Sequence, residues 1–249
     1  MIEERAAGSK DKAKGRTGLL CVAVSPDATA SDPQAEALAA AKQAEADADV
    51  IEIRLDSMHK PEIALFVREL SKPLLFTNRP AWEGGSYSGE ESARINLLME
   101  AIDAGAAYVD IEMKTAGDLR QQVIGKAKEQ QAQVIISWHN FTETPSGREL
   151  EAIFHEQHGS GAQIGKIVTM AQNYGDVLRV LDLQLLAAEK GFPLIAFCMG
   201  RAGVISRLAT VELGGYMTYA VADSGQATAA GQLKASVLHS MLQSINKAE

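Results

Sequence analysis

The stretch QVIISWHNFTETPSGRELEAIFHEQHGSGAQIGKIVT, residues 133–169, contains the unit from which the fold can be read. Its first seven residues form a short β-rich apolar run. Residues 147–158 have helix composition with apolar side chains at 3.6-residue spacing, and residues 164–169 form a second β-rich run. Strand, helix and strand with short connections make a parallel βαβ unit. The same alternation continues in both directions. Further strand-like runs start at Leu19, Val50, Leu74, Tyr108, Pro193 and Met217, so that successive starts are 24 to 34 residues apart along the whole chain. Helical segments fall between and after them at 33–46, 61–70, 91–104, 116–130, 174–190, 204–213 and 231–245. No linker, low-complexity tract or charge block interrupts the series. Eight strands and eight helices in 249 residues predict a single-domain α/β protein, a (β/α)8 TIM barrel over residues 18–249. An open doubly wound sheet shares the alternation; the count and the length favour the barrel.

Composition narrows the partners. With 46% hydrophobic and 22% charged residues the chain is an ordinary globular protein, which excludes disordered and collagen-like classes. Lys plus Arg number 24 against 32 Asp plus Glu, a formal net charge of -8, so no global positive field gathers nucleic acid. Residues 1–17, MIEERAAGSKDKAKGRT, form a polar leader, expected to be flexible, without the apolar core of a signal peptide. No apolar stretch approaches the roughly 18 residues of a membrane-spanning helix. A cytoplasmic protein with no membrane partner is the expectation. Cys21 and Cys198 belong to no CxxC or Cys/His pattern and read as buried thiols. On strands 1 and 7 of a barrel, with strand 8 between, their backbones would lie roughly 9 to 10 Å apart, beyond disulfide reach.

Strands buried on both faces should be nearly all apolar, so ionisable residues within them need a reason. Strand 2 carries Glu52, Arg54 and Asp56 at period two, and strand 4 carries Asp110 and Glu112. Strand 5 ends with Ser137 and His139, and strand 6 places Lys166 among Ile164, Ile167 and Val168. All lie toward the carboxyl ends of their strands, where barrel enzymes hold their chemistry. The carboxylates and Arg54 can instead be structural ion pairs filling a barrel layer. A lysine among apolar neighbours is expected to have a lowered pKa, and its free amine attacks carbonyls. The alternative is a lysine that extends to a carboxylate such as Glu112. His139 beside it is suited to proton transfer near pH 7. Arg79 after strand 3 and Arg207 after strand 7 converge with Arg54 on the same mouth and suggest an anionic, hydroxyl-rich small substrate. Trp82 is placed either over this site or in ordinary packing. The run from Gly161 to Ile167 lacks the spacing and the hydroxyl of a phosphate loop. His155 and His158 have no third ligand and read as a solvated face, so no metal is expected.

Taken in order, these residues resemble the type I 3-dehydroquinate dehydratases. The resemblance rests on E-x-R-x-D at 52–56, R-x-x-x-E-G-G at 79–85 and D-x-E at 110–112. It continues with S-W-H-N-F at 137–141, G-K-I-V at 165–168, M-G-x-x-G-x-x-S-R at 199–207 and A-G-Q at 230–232. It implies a barrel, often a homodimer, that converts 3-dehydroquinate to 3-dehydroshikimate in the shikimate pathway without metal or organic cofactor. Lys166 would match the Schiff-base lysine, His139 the general base and acid, and Glu83 the carboxyl that positions the histidine, with Asp110 assisting. Arg207 would match the clamp on the substrate carboxylate. Glu52, Arg54, Arg79 and Gln232 would match the groups that hold ring hydroxyls and carboxylate. The loop 228–232 departs from the family's S-A-P-G-Q: Thr228 keeps a hydroxyl for substrate contact, and the proline is replaced by Ala230. A class I aldolase uses the same lysine chemistry, and a catalytically silent barrel that binds a polyol acid is the reading from a different class. A silent relative would usually have lost Lys166 or His139, and both are present.

Overall fold

Eight parallel strands follow one another around a barrel: β1 (Leu19–Val24), β2 (Val50–Arg54), β3 (Leu74–Thr77), β4 (Tyr108–Glu112), β5 (Gln133–Asn140), β6 (Ile164–Met170), β7 (Leu194–Met199) and β8 (Met217–Val221). The ladder order is β7-β6-β5-β4-β3-β2-β1-β8, every pair parallel. Between β7 and β8 the Tyr216 amide donates to the Leu194 carbonyl at 2.8 Å, so the barrel is nearly closed. The computed structural model describes residues 18–27, 29–225 and 229–247. The predicted leader, residues 1–17, and Thr228 lie outside the described residues.

Helices return the chain between strands: α1 (Pro33–Ala44), α2 (Ile63–Glu69), α3 (Glu91–Asp103), α4 (Gly117–Glu129), α5 (Gly147–Gly159), α6 (Tyr174–Leu181), α7 (Leu183–Lys190), α8 (Gly200–Glu212) and α9 (Ala235–Asn246). The single helix expected over 174–190 is divided at Asp182. The Leu185 amide bonds the Asp182 carbonyl three residues back, a tightened turn that interrupts the α pattern. Helix α8 starts four residues earlier than the sequence suggested, because Gly200 takes a φ of 82° and turns the chain from β7 straight into the helix. Helix α9 starts four residues later. Gly231 has a φ of 77°, and the Val221 amide bonds the Leu233 carbonyl, so 231–234 continue beside β8 instead of coiling.

Period-two alternation sorts each strand between two environments. Outward-facing Val22, Ile53, Phe76, Val109 and Ile136 pack with helix residues such as Ala41, Phe66, Leu98 and Val123. Inward-facing Cys21, Val50, Leu75, Tyr108, Ile135, Ile164, Ile195 and Met217, one from each strand, form a separate cluster that plugs the barrel. Cys198 belongs instead to the outer cluster under α5 to α7. Both thiols are free and buried, and they face opposite sides of the barrel wall.

Candidate active site

Two residues beyond the apolar plug the same inward face turns polar. Val50 leads to Glu52 and Arg54, Tyr108 to Asp110 and Glu112, Ile135 to Ser137 and His139, and Ile164 to Lys166. On β7 and β8 the next inward positions are Phe197 and Tyr219. One half of the mouth is therefore ionic and the other aromatic. Above them opens a cleft. It brings together Glu52, Arg54, Arg79, Glu83, His139, Lys166, Arg207 and Gln232, all predicted from the sequence.

Lys166 is 4% exposed. Its Nζ donates to Asp110 Oδ2 at 2.9 Å, sits 3.9 Å from Glu52 Oε1, and lies 4.2 Å from the ring centre of Tyr219. Glu112, the partner considered from the sequence, is occupied elsewhere by Arg79 and Arg94. Burial opposes ionisation of Asp110, yet the cations Arg79 and Lys166 outweigh it and hold this carboxyl well below the usual range. Glu52 is steadied by the Thr77 hydroxyl at 2.8 Å.

Arg79 is committed to internal partners. It donates to Glu112 Oε1 at 2.6 Å and Ser137 Oγ at 2.7 Å, and pairs with Asp110 at 2.8 Å. Burial would lower its pKa, but these carboxylates raise it. Arg54 is bidentate to Asp56, at 2.8 and 2.7 Å. Asp56 does not share the β2 face as period two suggested. The strand ends at Arg54, and Asp56 lies in the 3-10 turn Leu55–Ser57, where it also accepts the backbone amides of Arg79 and Ser86 and so anchors the loop after β3.

That loop delivers Glu83 on a second 3-10 turn, Ala81–Glu83, closed by Gly84 at a φ of 77°. Glu83 Oε1 accepts two bonds at 3.0 Å, from the His139 backbone amide and at His139 Nδ1. Glu83 thus fixes the imidazole and leaves Nε2 as the nitrogen able to reach a substrate. The expected assistance from Asp110 takes no direct form, because Asp110 bonds Lys166, Arg79 and Ser137. Burial raises the Glu83 pKa to about 7, a shift that Arg79 reduces and Glu112 adds to. Burial, reinforced by Arg79 and Lys166, holds His139 well below its ordinary value. The imidazole is therefore neutral at pH 7, the form that accepts a proton. Phe141 stacks on its other side, centroids 5.8 Å apart at 13°, and the Cβ-less Gly84 makes room for the phenyl ring. Trp82, the candidate cover, is 51% exposed and does not line the cleft; Phe141 does.

Arg207 differs from the other two arginines. It is 1% exposed, reaches in from α8, and lies 4.6 Å from the Phe197 ring centre. Among the described residues its hydrogen bonds are 3.4 Å donations to the Tyr219 and Ala230 carbonyls, and none of them partners its Nε. Among the described residues no carboxylate pairs with it. Burial lowers its pKa to about 10. A desolvated guanidinium without an anion is a built receptor for one. Gln232 closes the cleft's rim, its Oε1 accepting from the Ala229 amide at 3.2 Å.

Sequence reasoning missed Arg94 and Tyr219, and it included Phe141 in a motif without giving it a role. Arg94 reads as half of an i, i+3 pair with Glu91 on a solvated helix, and nothing local marks it as buried. Phe141 has no ionisable group, and Tyr219 reads as one more aromatic residue in a β-rich run, where such residues are common. Among the described residues no cluster of three metal-ligating side chains exists; His155 and His158 are both exposed, the solvated face expected, although the His158 ring also lies on Phe154 and Phe192.

A family model described as type I 3-dehydroquinase matches residues 27–249. A 3-dehydroquinate dehydratase of Desulfotalea psychrophila is 48% identical over 186 residues, 75% of this chain and 82% of that protein. One from Methanosarcina barkeri is 35% identical over 211 residues, 81% of this chain and 87% of its own length. Among solved structures, the 3-dehydroquinate dehydratase of Geobacillus kaustophilus superposes with a TM-score of 0.82 at 26% identity, over 92% of this chain and 91% of its own. The type I enzyme of Clostridium difficile, solved with covalently modified comenic acid, gives 0.80 at 27% identity over 94% of each chain.

Proposed function

Because this chain belongs to the type I 3-dehydroquinase family, whose hydro-lyase reaction turns 3-dehydroquinate into 3-dehydroshikimate in the shikimate pathway, we propose that Lys166 forms its Schiff base and His139 moves its protons. The observation that carries this assignment is one cleft holding a buried lysine, a neutral histidine oriented by a carboxyl, and a buried arginine with which no carboxylate among the described residues pairs.

The sequence of events follows from those positions. The substrate carboxylate pairs with Arg207, and the aromatic half of the mouth receives the ring carbons. Neutral His139 takes one proton from Lys166 Nζ, the amine so freed adds to the ring ketone, and the proton returns to the hydroxyl that leaves the carbinolamine as water, giving an iminium. Asp110 and Glu52, already beside Nζ, neutralise its positive charge. The iminium acts as an electron sink for the neighbouring C–H bond, and neutral His139 takes that proton on Nε2. The electron pair moves into the ring, the C–O bond to the departing hydroxyl breaks, and His139 returns its proton to that oxygen. Water then hydrolyses the iminium and frees the product and the lysine. Glu83 holds the imidazole in register throughout. Arg54, Arg79, Gln232 and Thr228 complete the set that holds hydroxyls and carboxylate, Arg79 through the fixed frame it shares with Ser137 and Asp110. No metal or organic cofactor takes part in this scheme.

Borohydride added with 3-dehydroquinate tests the assignment. The expected result is a reduced adduct located on Lys166 by peptide mass spectrometry, and no adduct or product with Lys166→Ala. Turnover with an adduct elsewhere, or with none, would remove Lys166 from the role.

Two coarser properties extend the proposal. No helix among the described residues is long and apolar enough to cross a membrane, and the pathway's chemistry suits a cytoplasmic setting. A homodimer is supported by a groove lined by Leu178, Leu181, Leu185 and Leu213, in which Leu178 is 69% and Leu185 71% exposed. Sedimentation of the parent and of Leu185→Glu tests it: a dimer that dissociates in the variant is expected, and a monomeric parent refutes it.

A further inference from the structure

Behind Arg79, Glu112 lies between two arginines. Its Oε1 accepts from Arg79 Nη1 at 2.6 Å and its Oε2 from Arg94 Nη1 at 2.5 Å. Neither Glu112 nor Arg94 lines the cleft. Arg94 comes from the first turn of α3 and is wholly buried, unusual for a helix-surface arginine. It also donates to the Asn78 carbonyl at 3.1 Å, to Thr115 Oγ1 at 2.8 Å and to the partly exposed Glu91 at 2.7 and 2.8 Å. A continuous chain thus runs from the outer helix to the reacting amine: Arg94, Glu112, Arg79, Asp110, Lys166. Within it and Glu52, three carboxylates (Glu52, Asp110, Glu112) meet three cations (Arg79, Arg94, Lys166). The buried ionic half of the mouth is balanced only if Arg94 is counted.

We propose that Arg94 is a positioning residue for the dehydration, holding Glu112 ionised and oriented so that Arg79 stays fixed against Asp110 and the charge around Lys166 and His139 stays balanced. This rests on the roles given above to Lys166 and His139. Arg94 touches neither of them nor the cleft, so its influence is transmitted by charge and by the locked carboxylate.

The consequence is electrostatic. Removing the Arg94 charge leaves one surplus negative charge in a buried cluster. The groups facing Glu112 are Arg79 from the loop after β3, Asp110 from its own strand, Arg94 from α3, and Glu83 at longer range. Those facing Lys166 are Asp110, Glu52, His139, Tyr219 and, more weakly, the Cys21 thiol. Those facing His139 are Glu83, Arg79, Lys166, Asp110 and Arg54. A surplus negative charge among these makes His139 keep its proton to higher pH, and the imidazole must be a free base to take protons in the first steps. The acid limb of kcat/KM against pH therefore moves up. At an effective dielectric of about 20 and a separation of two to three side chains, the move is about one pH unit, roughly a tenfold loss below the limb.

The test uses the full chain, after borohydride has marked Lys166 in the parent, so that failure of the Lys166 assignment is seen separately. The expected results are an acid limb about one unit higher in Arg94→Met, with the plateau lowered only a few-fold, and recovery in Arg94→Lys. Glu112→Gln makes the opposite imbalance and is expected to move the limb down by a similar amount. The double variant restores two carboxylates against two cations, and its limb returns to the parent's position. Should Arg94→Met fail to fold, Glu112→Gln against the double variant makes the same comparison. An unmoved limb in either single variant, or a double variant whose losses simply multiply with no return of the limb, overturns the proposal.

Discussion

Replacing Arg207 by Met should separate binding from folding in opposite directions. The guanidinium is buried, is paired with no carboxylate among the described residues, and has its pKa lowered by burial from the usual arginine range to about 10. A shift of that size corresponds to a cost of about 3 kcal/mol for keeping the charge in the folded, unliganded protein. The sign follows from the depressed folded pKa: the cost is complete at neutral pH and is relieved only as pH rises through about 10. Against it stand two long hydrogen bonds of 3.4 Å and the stacking on Phe197, together worth about 2 kcal/mol. Met keeps the apolar stem and removes the charge, so the unliganded variant should gain about 1 kcal/mol, or 2 to 4 °C in Tm for a chain of this size. Substrate binding should suffer, because a desolvated carboxylate loses its charged partner at a cost of about 3 kcal/mol, near a hundredfold in kcat/KM and mostly in KM. Calorimetry of the unliganded proteins and the ultraviolet absorbance of the enone product read the two effects. An Arg207→Met protein that loses several degrees of Tm while keeping its KM would refute the reasoning and make Arg207 a structural residue.

Glu83→Gln should flatten part of the pH dependence of stability. The folded pKa of Glu83 is raised by burial to about 7 from 4.5, so its contribution is complete below 4.5 and lost as pH rises through 7, about 3 kcal/mol in all. Urea unfolding between pH 4.5 and 8 should show a shallower fall for the variant; parallel curves would contradict the raised pKa. Gly85→Ala should lower both stability and activity, because its new Cβ would overlap the carbonyl of Arg79 and push that loop from its register. We expect a loss of about 1 to 3 kcal/mol and at least a tenfold drop in kcat/KM, measured by denaturation and steady-state kinetics. Both cysteines are buried, and burial pushes each thiol pKa up. A chromogenic disulfide reagent should therefore find no reactive thiol in the native protein at pH 8 and two after unfolding.

The order of elements and most of the cleft were legible in the sequence for a physical reason. Parallel strands are covered on both sides, so every ionisable residue inside one carries a high cost and stands out against its apolar neighbours. Glu52, Asp110, His139 and Lys166 were visible as such exceptions, at the strand ends where barrels place function. Helix ends were less legible. Gly200 and Gly231 decide where α8 and α9 begin, but their effect depends on positive φ angles that composition does not reveal.

What the sequence determined by itself was the barrel and the placing of the lysine, the histidine and the arginines at its mouth, because these follow from periodicity and residue chemistry along each strand. Tertiary structure alone decided which charge meets which. Asp110 sits on Lys166 and not on His139, Arg79 is held by its own neighbours while Arg207 is left open, and Arg94 crosses from an outer helix to complete the balance. Coulomb energy depends on distance through a low-dielectric interior, and those distances are set by strands and helices far apart in the chain, not by the spacing of residues along it.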